Sequence, residues 1–152
     1  KANMLLEAEI AGREEFIPDQ TNNKFFMPSG LVGLPDFKKF ELIVDPESLP
    51  FVILRCIEGD EIQIPAIEPV GLVQDYILDI SDEDSEALGL KGSSSAPLIL
   101  NVATIKSFEP QKVTLNLAAP IIINRQTRVG KQVILVNYLK YSTSHVLIDE
   151  TE

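Results

Sequence analysis

The sequence has few of the side chains on which metal sites and disulfide scaffolds depend. Among its 152 residues there is one cysteine, Cys56, and one histidine, His145. A single cysteine cannot form a disulfide within the chain, which agrees with a reducing cytoplasm. One cysteine and one histidine cannot build a zinc site without help from carboxylates. The scarcity therefore argues against a disulfide scaffold and against a metal centre.

The same two residues define the sharpest enzyme hypothesis, a cysteine nucleophile activated by a histidine. Cys56 alternates with Val52 and Leu54 in an apolar run, a position typical of a small thiol in a hydrophobic core. His145 lies far away in the sequence, in a polar segment near the C-terminus, and is interpreted as a surface or cap residue. We therefore expect no catalytic residue, no metal and no cofactor.

Long hydrophobic runs are also missing. A membrane-spanning helix needs about 18 or more consecutive apolar residues, whereas the longest apolar runs here, such as 98–100 and 121–123, are the size of strands. The sequence thus predicts no membrane contact. The chain is 45% hydrophobic and can bury a core, and its 152 residues suit one domain spanning 1–152. We interpret the residues before Met4 as a remnant added ahead of the natural start.

Basic residues are outnumbered, at 13 against 23 acidic ones, which gives a formal net charge of −10. Such a surface repels phosphate backbones, so direct binding to nucleic acid is disfavoured. It attracts a basic protein and speeds the encounter with it. The alternative is that the acidity only keeps the protein soluble.

Hydrophobic residues recur mostly with a period of two, which is typical of strands. Strands are predicted at 4–10, 24–27, 40–44, 51–57, 62–66, 98–105, 113–117, 121–123 and 132–136. The nearly unbroken apolar run 51–57 predicts a central strand covered on both faces, and it forms a predicted hairpin with 62–66. A short helix is predicted at 81–89, with Ser81 as N-cap and Gly89 at the C-terminal end. The predicted fold class is mainly β with one helix, and the strands either close on themselves or form a sandwich.

Short motifs for other chemistry are weak. The acidic stretch 79–86 has Asp84 where a calcium-binding EF-hand loop requires glycine. The tetrapeptide 30–33 has the GxxG form of some RNA-binding domains, but its centre is Leu-Val and not basic. Carboxylates are plentiful, yet no pair is singled out for acid–base catalysis.

Several blocks of the sequence resemble the FliW family of flagellar assembly factors. The segment 26–34, Phe-Met-Pro-Ser-Gly-Leu-Val-Gly-Leu, followed by Phe-Glu-Leu at 40–42, is similar to the opening signature of that family. The most specific match is 114–124, Thr-Leu-Asn-Leu-Ala-Ala-Pro-Ile-Ile-Ile-Asn, followed by Gly-Lys-Gln-Val-Ile at 130–134. Together the blocks cover most of the chain in the right order.

Most of this signature is predicted to be architectural. Gly30 and Gly33 permit positive φ or close backbone approach. The side-chain amides of Asn116 and Asn124 can form hydrogen bonds with loop backbone that has no partner in a sheet. Pro120 removes a backbone N–H donor at the first residue of a strand. The complete set of signature residues is Gly30, Gly33, Asn116, Pro120, Asn124, Gly130 and Gln132.

The resemblance implies a small closed or semi-closed β-barrel-like domain with one short helix near 81–89. It also implies a function in the cytoplasm that is not enzymatic. FliW proteins bind flagellin and also bind CsrA, a basic RNA-binding repressor of flagellin translation. Because the two partners compete for one regulator, export of flagellin would free the protein to capture CsrA. The alternative class is an orphan β-barrel binding module for a peptide or a carbohydrate.

Acidic residues at turns and at the helix start are the candidate contacts for a basic partner. We expect such positions to be exposed, with charges free to meet the partner. The candidates are Glu58, Asp60, Glu61, Asp75, Asp82, Glu83 and Asp84.

Overall fold

The computed structural model describes residues 3–8, 23–58, 62–92 and 96–151. Within these ranges eleven strands and one α-helix are formed. The strands are β1 (Met4–Glu7), β2 (Lys24–Phe26), β3 (Lys39–Ile43), β4 (Phe51–Cys56), β5 (Gln63–Ile67), β6 (Ile77–Ile80), β7 (Leu98–Phe108), β8 (Gln111–Leu115), β9 (Ile121–Ile123), β10 (Gly130–Gln132) and β11 (His145–Asp149). The helix α1 spans Asp82–Ala87. The mainly β prediction with one short helix is confirmed.

A large antiparallel sheet dominates the fold, in the order β10-β9-β7-β5-β4-β3-β2. The far half of β7 also pairs with β8, which pairs with β11, while β1 and β6 form a separate pair. The two ends of the large sheet meet at a single parallel bridge, Phe26 with Val129. There the amide of Phe26 donates to the carbonyl oxygen of Arg128 at 2.8 Å. One bridge in place of a full ladder makes the barrel semi-closed.

Two hydrophobic clusters lie on either side of β7. One contains Ile99 and Ala103 of this strand, and the other contains Leu98 and Leu100. Because side chains alternate along a strand, neighbouring residues of β7 enter different clusters. The strand therefore contributes side chains to both hydrophobic clusters.

The β4–β5 hairpin is confirmed, but the expectation that β4 is covered on both faces is wrong. The strand does lie between β3 and β5, and its burial alternates, with Leu54 and Cys56 fully inside. Ile53 on the opposite face is only partly buried, and Ile57 beyond the strand is 37% exposed. Arg55 on that outer face pairs with a neighbouring carboxylate across the sheet. The outer face of the sheet is thus partly open to solvent.

The helix caps follow the sequence prediction. The hydroxyl of Ser81 accepts a hydrogen bond from the amide of Asp84 at 3.1 Å. Gly89 has φ of +64°, and the amide of Leu90 donates to the carbonyl oxygen of Ser85 at 3.0 Å. This pattern is a Schellman motif, which satisfies the last carbonyls of the helix and buries Leu90.

Three strand predictions need correction. β6 and β11 were not expected, and the strand predicted at 132–136 is β10 at Gly130–Gln132. Residues 133–135 bond to loop backbone instead: Val133 donates to Pro120, and Leu135 to Ala118. Because these partners lie in a loop, the segment has the alternation of a strand without a ladder.

A bulge separates β8 from β9. Leu115 of β8 is opposite Ala103, and Ile121 of β9 is opposite Leu100. Five residues, 116–120, therefore lie opposite the two residues Asn101 and Val102. The segment with the most specific family resemblance forms this bulge.

Candidate functional site

The bulge is held by hydrogen bonds from outside the ladder. The side-chain oxygen of Asn116 accepts from the amides of Ala118 and Ala119, both at 3.1 Å. The side-chain amide of Gln132 donates to the carbonyl oxygen of Ala119 at 3.1 Å. Two of the signature side chains thus provide the partners that a regular strand would have supplied.

A buried pair beneath the bulge completes this network. The hydroxyl of Tyr76 donates to the carbonyl oxygen of Leu117. The side-chain amide of Asn101 donates to the Tyr76 oxygen and to the carbonyl oxygen of Asn116, each at 3.0 Å. Burial raises the pKa of Tyr76, so its hydroxyl keeps its proton and remains a donor.

Asn101 was not singled out from the sequence, although an asparagine within an apolar run is itself a signal of a structural role. This asparagine is fully buried within an otherwise apolar strand. An unpaired amide in such a place costs about 1–3 kcal/mol. A lone asparagine in an apolar run therefore indicates a specific hydrogen-bond partner elsewhere in the chain.

Asn124 ties the β9–β10 loop to the end of the helix. Its side-chain oxygen accepts from the amides of Gln126 and Thr127, at 2.9 and 3.2 Å. Its side-chain nitrogen donates to the carbonyl oxygen of Leu88 at 2.8 Å. One buried side chain thereby fixes both a tight turn and the position of α1.

The glycine-containing loop 28–35 is anchored to the same network. Gly30 has φ of +64°, and a Cβ atom there would lie 2.5 Å from the carbonyl oxygen of Leu34. The side-chain oxygen of Gln132 accepts from the amide of Val32 at 2.9 Å. Gln132 therefore connects this loop to the bulge.

Two further signature glycines differ in what surrounds them. Gly33 has φ of +84°, but nothing lies within 4 Å of a Cβ atom placed there. At Gly130 such an atom would lie 2.9 Å from a side-chain carbon of Ile123, so the close approach of β9 and β10 requires glycine. The signature asparagines and Gln132 thus bond to loop backbone, Gly30 and Gly130 allow close packing, and Gly33 supplies only a positive φ.

The acidic candidates have different surroundings. Asp75 and Glu83 are exposed, and Glu58 is partly buried, with its carboxylate accepting from the amide of Lys39 at 3.1 Å. Asp60 and Glu61 lie outside the described residues. Exposed charges therefore occur near the helix start and in the loop before β6.

The expectation of free charges is wrong for Asp82 and Asp84. Asp82 pairs with Lys91, and Asp84 pairs with Lys131 at 2.6 Å. Their side chains are only 15% and 14% exposed. Both carboxylates therefore hold α1 to neighbouring segments, and Glu83 between them is the one that points to solvent.

The two scarce residues lie in different parts of the fold. Cys56 is buried in the cluster with Phe40 and Leu54, and its thiol contacts the carbonyl oxygen of Glu58 at 3.4 Å. His145 is partly buried at the start of β11, paired with Leu115. Within the described ranges, no group of three or more His, Cys, Asp and Glu side chains is placed to hold a metal ion. No helix in those ranges has the length and apolar character needed to cross a membrane.

An exposed apolar surface lies beside the β1–β6 pair. Asn137 donates from its side chain to the carbonyl oxygen of Ile77 at 2.9 Å, and the amide of Val136 donates to the carbonyl oxygen of Asp79 at 2.8 Å. The segment after β10 therefore runs along β6. The exposed apolar residues of β1, β6 and this segment include Leu5, Ile77, Ile134, Val136 and Tyr138, and we call these five the apolar surface.

A cavity of about 340 Å³ opens between β4, the loop after β5 and β7. Its lining is apolar except for Glu68, whose carboxylate lies 3.9 Å from the guanidinium of Arg125. Burial raises the pKa of Glu68, and the positive charge of Arg125 opposes that rise. The cavity is too apolar to resemble a polar hydrolytic cleft.

Comparisons with known proteins match this architecture along most of the chain. A family model described as FliW protein matches residues 7–147. The flagellar assembly factor FliW of Thermotoga neapolitana is 36% identical over 141 residues, which cover 93% of this chain and 91% of that protein. The flagellar assembly factor FliW of Clostridium botulinum strain Alaska E43 is 33% identical over 147 residues, which cover 97% of this chain and 100% of that protein.

A crystal structure of the flagellar assembly factor FliW superimposes with a TM-score of 0.73 at 30% identity, covering 91% of this chain and 93% of the other. Fold and sequence together define a mainly β flagellar assembly factor. The chain belongs to the FliW family.

Proposed function

We propose that this protein binds flagellin and the translational regulator CsrA in the cytoplasm and couples flagellin translation to export. The observation that carries the proposal is the FliW family match over residues 7–147. While the protein is bound to flagellin, CsrA is free to repress flagellin translation. Once flagellin is exported, the released protein captures CsrA and translation resumes.

Charge supports the CsrA part of the proposal. The chain has a net charge of −10, and its exposed carboxylates include Asp75 and Glu83. Such charges act mainly on the association rate with a basic partner and are screened within about 8–10 Å at physiological salt. We expect one-to-one binding whose rate falls as salt is raised.

The apolar surface supports the flagellin part. Its exposed side chains form an apolar strip on β1, β6 and the segment after β10, in which Asp79 lies opposite Leu5 and Glu7 lies opposite Ile77. Segments that pack in a filament must be amphipathic, and their apolar sides can cover such a strip. Flagellin binding should therefore depend less on salt than CsrA binding does.

A competition titration tests the proposal. CsrA from the same bacterium is titrated with this protein, with and without added flagellin. The expected result is one-to-one binding of CsrA that flagellin weakens. If neither protein binds at micromolar concentrations, the regulatory proposal fails and an orphan binding module is the better account.

Charge reversal tests the role of the acidic loop after β4. Replacing Glu58, Asp60 and Glu61 by Lys should slow CsrA association and flatten its salt dependence. The melting temperature should fall only by what the lost hydrogen bond from Lys39 to Glu58 contributes. The control reverses Asp36, Glu47 and Glu109, which are exposed elsewhere and change the net charge by the same amount. Equal slowing in both variants would show that only the overall charge matters.

A further inference from the structure

A pocket of about 420 Å³ lies at the seam where the two ends of the large sheet meet. Phe26 and Ile57, which are 41% and 37% exposed, form its apolar part. Three basic side chains border it, and we call the site the basic pocket. Its basic residues are Lys24, Lys39 and Arg128.

The concentration of positive charge contrasts with the rest of the chain, in which 23 acidic residues face 13 basic ones. Five other basic residues form salt bridges in the described ranges, namely Arg55, Lys91, Lys112, Arg125 and Lys131. In those same ranges no salt bridge includes a basic residue of the pocket. Their charges are therefore available to a ligand.

The nearest carboxylates are already engaged. Glu41 is the cross-strand partner of Lys24, but it pairs with Arg55 at 3.0 Å. Glu58 follows β4, and its carboxylate accepts from the backbone amide of Lys39.

Arg128 occupies a backbone conformation that does not favour arginine. Its φ is +61°, a left-handed value that glycine adopts without strain and asparagine tolerates. The loop enforces it, because the amide of Arg128 donates to the carbonyl oxygen of Asn124 at 2.9 Å and its own carbonyl accepts from Phe26. Glycine would adopt this φ without strain, and the presence of arginine supports a role for its side chain at the pocket.

We propose that the basic pocket binds a short acidic segment of a partner protein. Carboxylates of the segment contact Lys24, Lys39 and Arg128, and an apolar side chain between them packs on Phe26 and Ile57. A long polyphosphate backbone would be repelled by the net charge of −10, whereas a short segment carries few charges. This site uses the opposite charge from the acidic loops, so it stands independently of the proposed function.

The test uses a synthetic peptide, acetyl-Glu-Phe-Glu-Leu-amide, titrated into the full chain. We expect binding that weakens with salt, and about a tenfold loss of affinity in Lys39→Gln and in Arg128→Gly. The peptide with Lys in place of both Glu residues should not bind. Lys106→Gln is the matched control, because it removes the same charge from an exposed position on β7.

Arg128→Gly separates a binding role from a structural one. Glycine relieves the backbone strain, so the melting temperature should stay the same or rise while peptide affinity falls. The proposal is overturned if the wild type does not bind the peptide at millimolar concentration, or if Lys106→Gln weakens binding as much as the pocket variants. Binding of oligouridine at the same residues in place of the peptide would also overturn it.

Discussion

The side-chain amide of Asn101 donates a hydrogen bond to the phenolic oxygen of Tyr76 at 3.0 Å, in the buried space beneath the bulge. The Tyr76 hydroxyl in turn donates a hydrogen bond to the carbonyl oxygen of Leu117. Tyr76 and Asn101 thus donate hydrogen bonds to backbone carbonyl oxygens of the bulge that have no partner in the β7 ladder. Polar residues in this core therefore stabilise an irregular segment that apolar residues could not.

Tyr76→Phe should lower the free energy of unfolding by about 1–3 kcal/mol, because it leaves the Leu117 carbonyl without its donor. The aromatic ring would still make its edge contact with Tyr141 at 4.9 Å. Urea denaturation measures the change. Tyr138→Phe is the control, since that ring is exposed. Equal effects of the two substitutions would show that the buried hydroxyl contributes nothing.

Gly30→Ala should destabilise the protein more than Gly33→Ala. Both glycines have positive φ, and that conformation costs an alanine about 1–2 kcal/mol. Only at Gly30 would the added carbon also meet backbone at 2.5 Å. Melting temperatures of the two variants provide the comparison. If they fall equally, the close approach at Gly30 is readily relieved.

Leu54→Ala should cost about 2–5 kcal/mol, because Leu54 is completely buried in the second cluster. Ile53→Ala, on the partly open face of the same strand, should cost clearly less. The denaturant midpoints of the two variants test whether burial in β4 alternates. A reversed order would mean that the faces of the strand are assigned incorrectly.

Glu68→Gln should change the pH dependence of stability. Because burial raises the pKa of Glu68 above the ordinary value of 4.5, the folded state holds this proton to a higher pH than the unfolded state does. The wild type therefore loses stability as pH rises through the window above 4.5. The variant has no such proton, so its stability relative to the wild type should increase from pH 4 to pH 7. A relative stability that stays constant or declines would contradict the raised pKa.

The sequence predicted elements whose signals are local. The β4–β5 hairpin follows from apolar alternation around a turn, and α1 follows from Ser81 and Gly89 at its ends. These residues act on backbone within a few positions of themselves, so their effect can be deduced without the fold. The family resemblance implied the β-barrel-like domain as a whole but not the bounds of each strand.

Elements set by distant partners were less predictable. Residues 133–136 alternate like a strand, but they bond to the bulge and to β6. β11 has an irregular register between Val146 and Ile148, which removes a clean period of two. The pairing of Asp82 and Asp84 with Lys91 and Lys131 was also invisible, because sequence spacing gives no indication of which lysine reaches which carboxylate.

Because β7 contributes side chains to both hydrophobic clusters, it should resist local unfolding. Leu98 and Leu100 belong to one cluster while Ile99 and Ala103 belong to the other, so neither core can come apart without disturbing the strand that serves both. Local fluctuations at the barrel seam leave this strand untouched. The backbone amides of 98–101 should therefore exchange with solvent deuterium only through global unfolding, as a single cooperative unit, whereas those of β2 exchange through smaller openings.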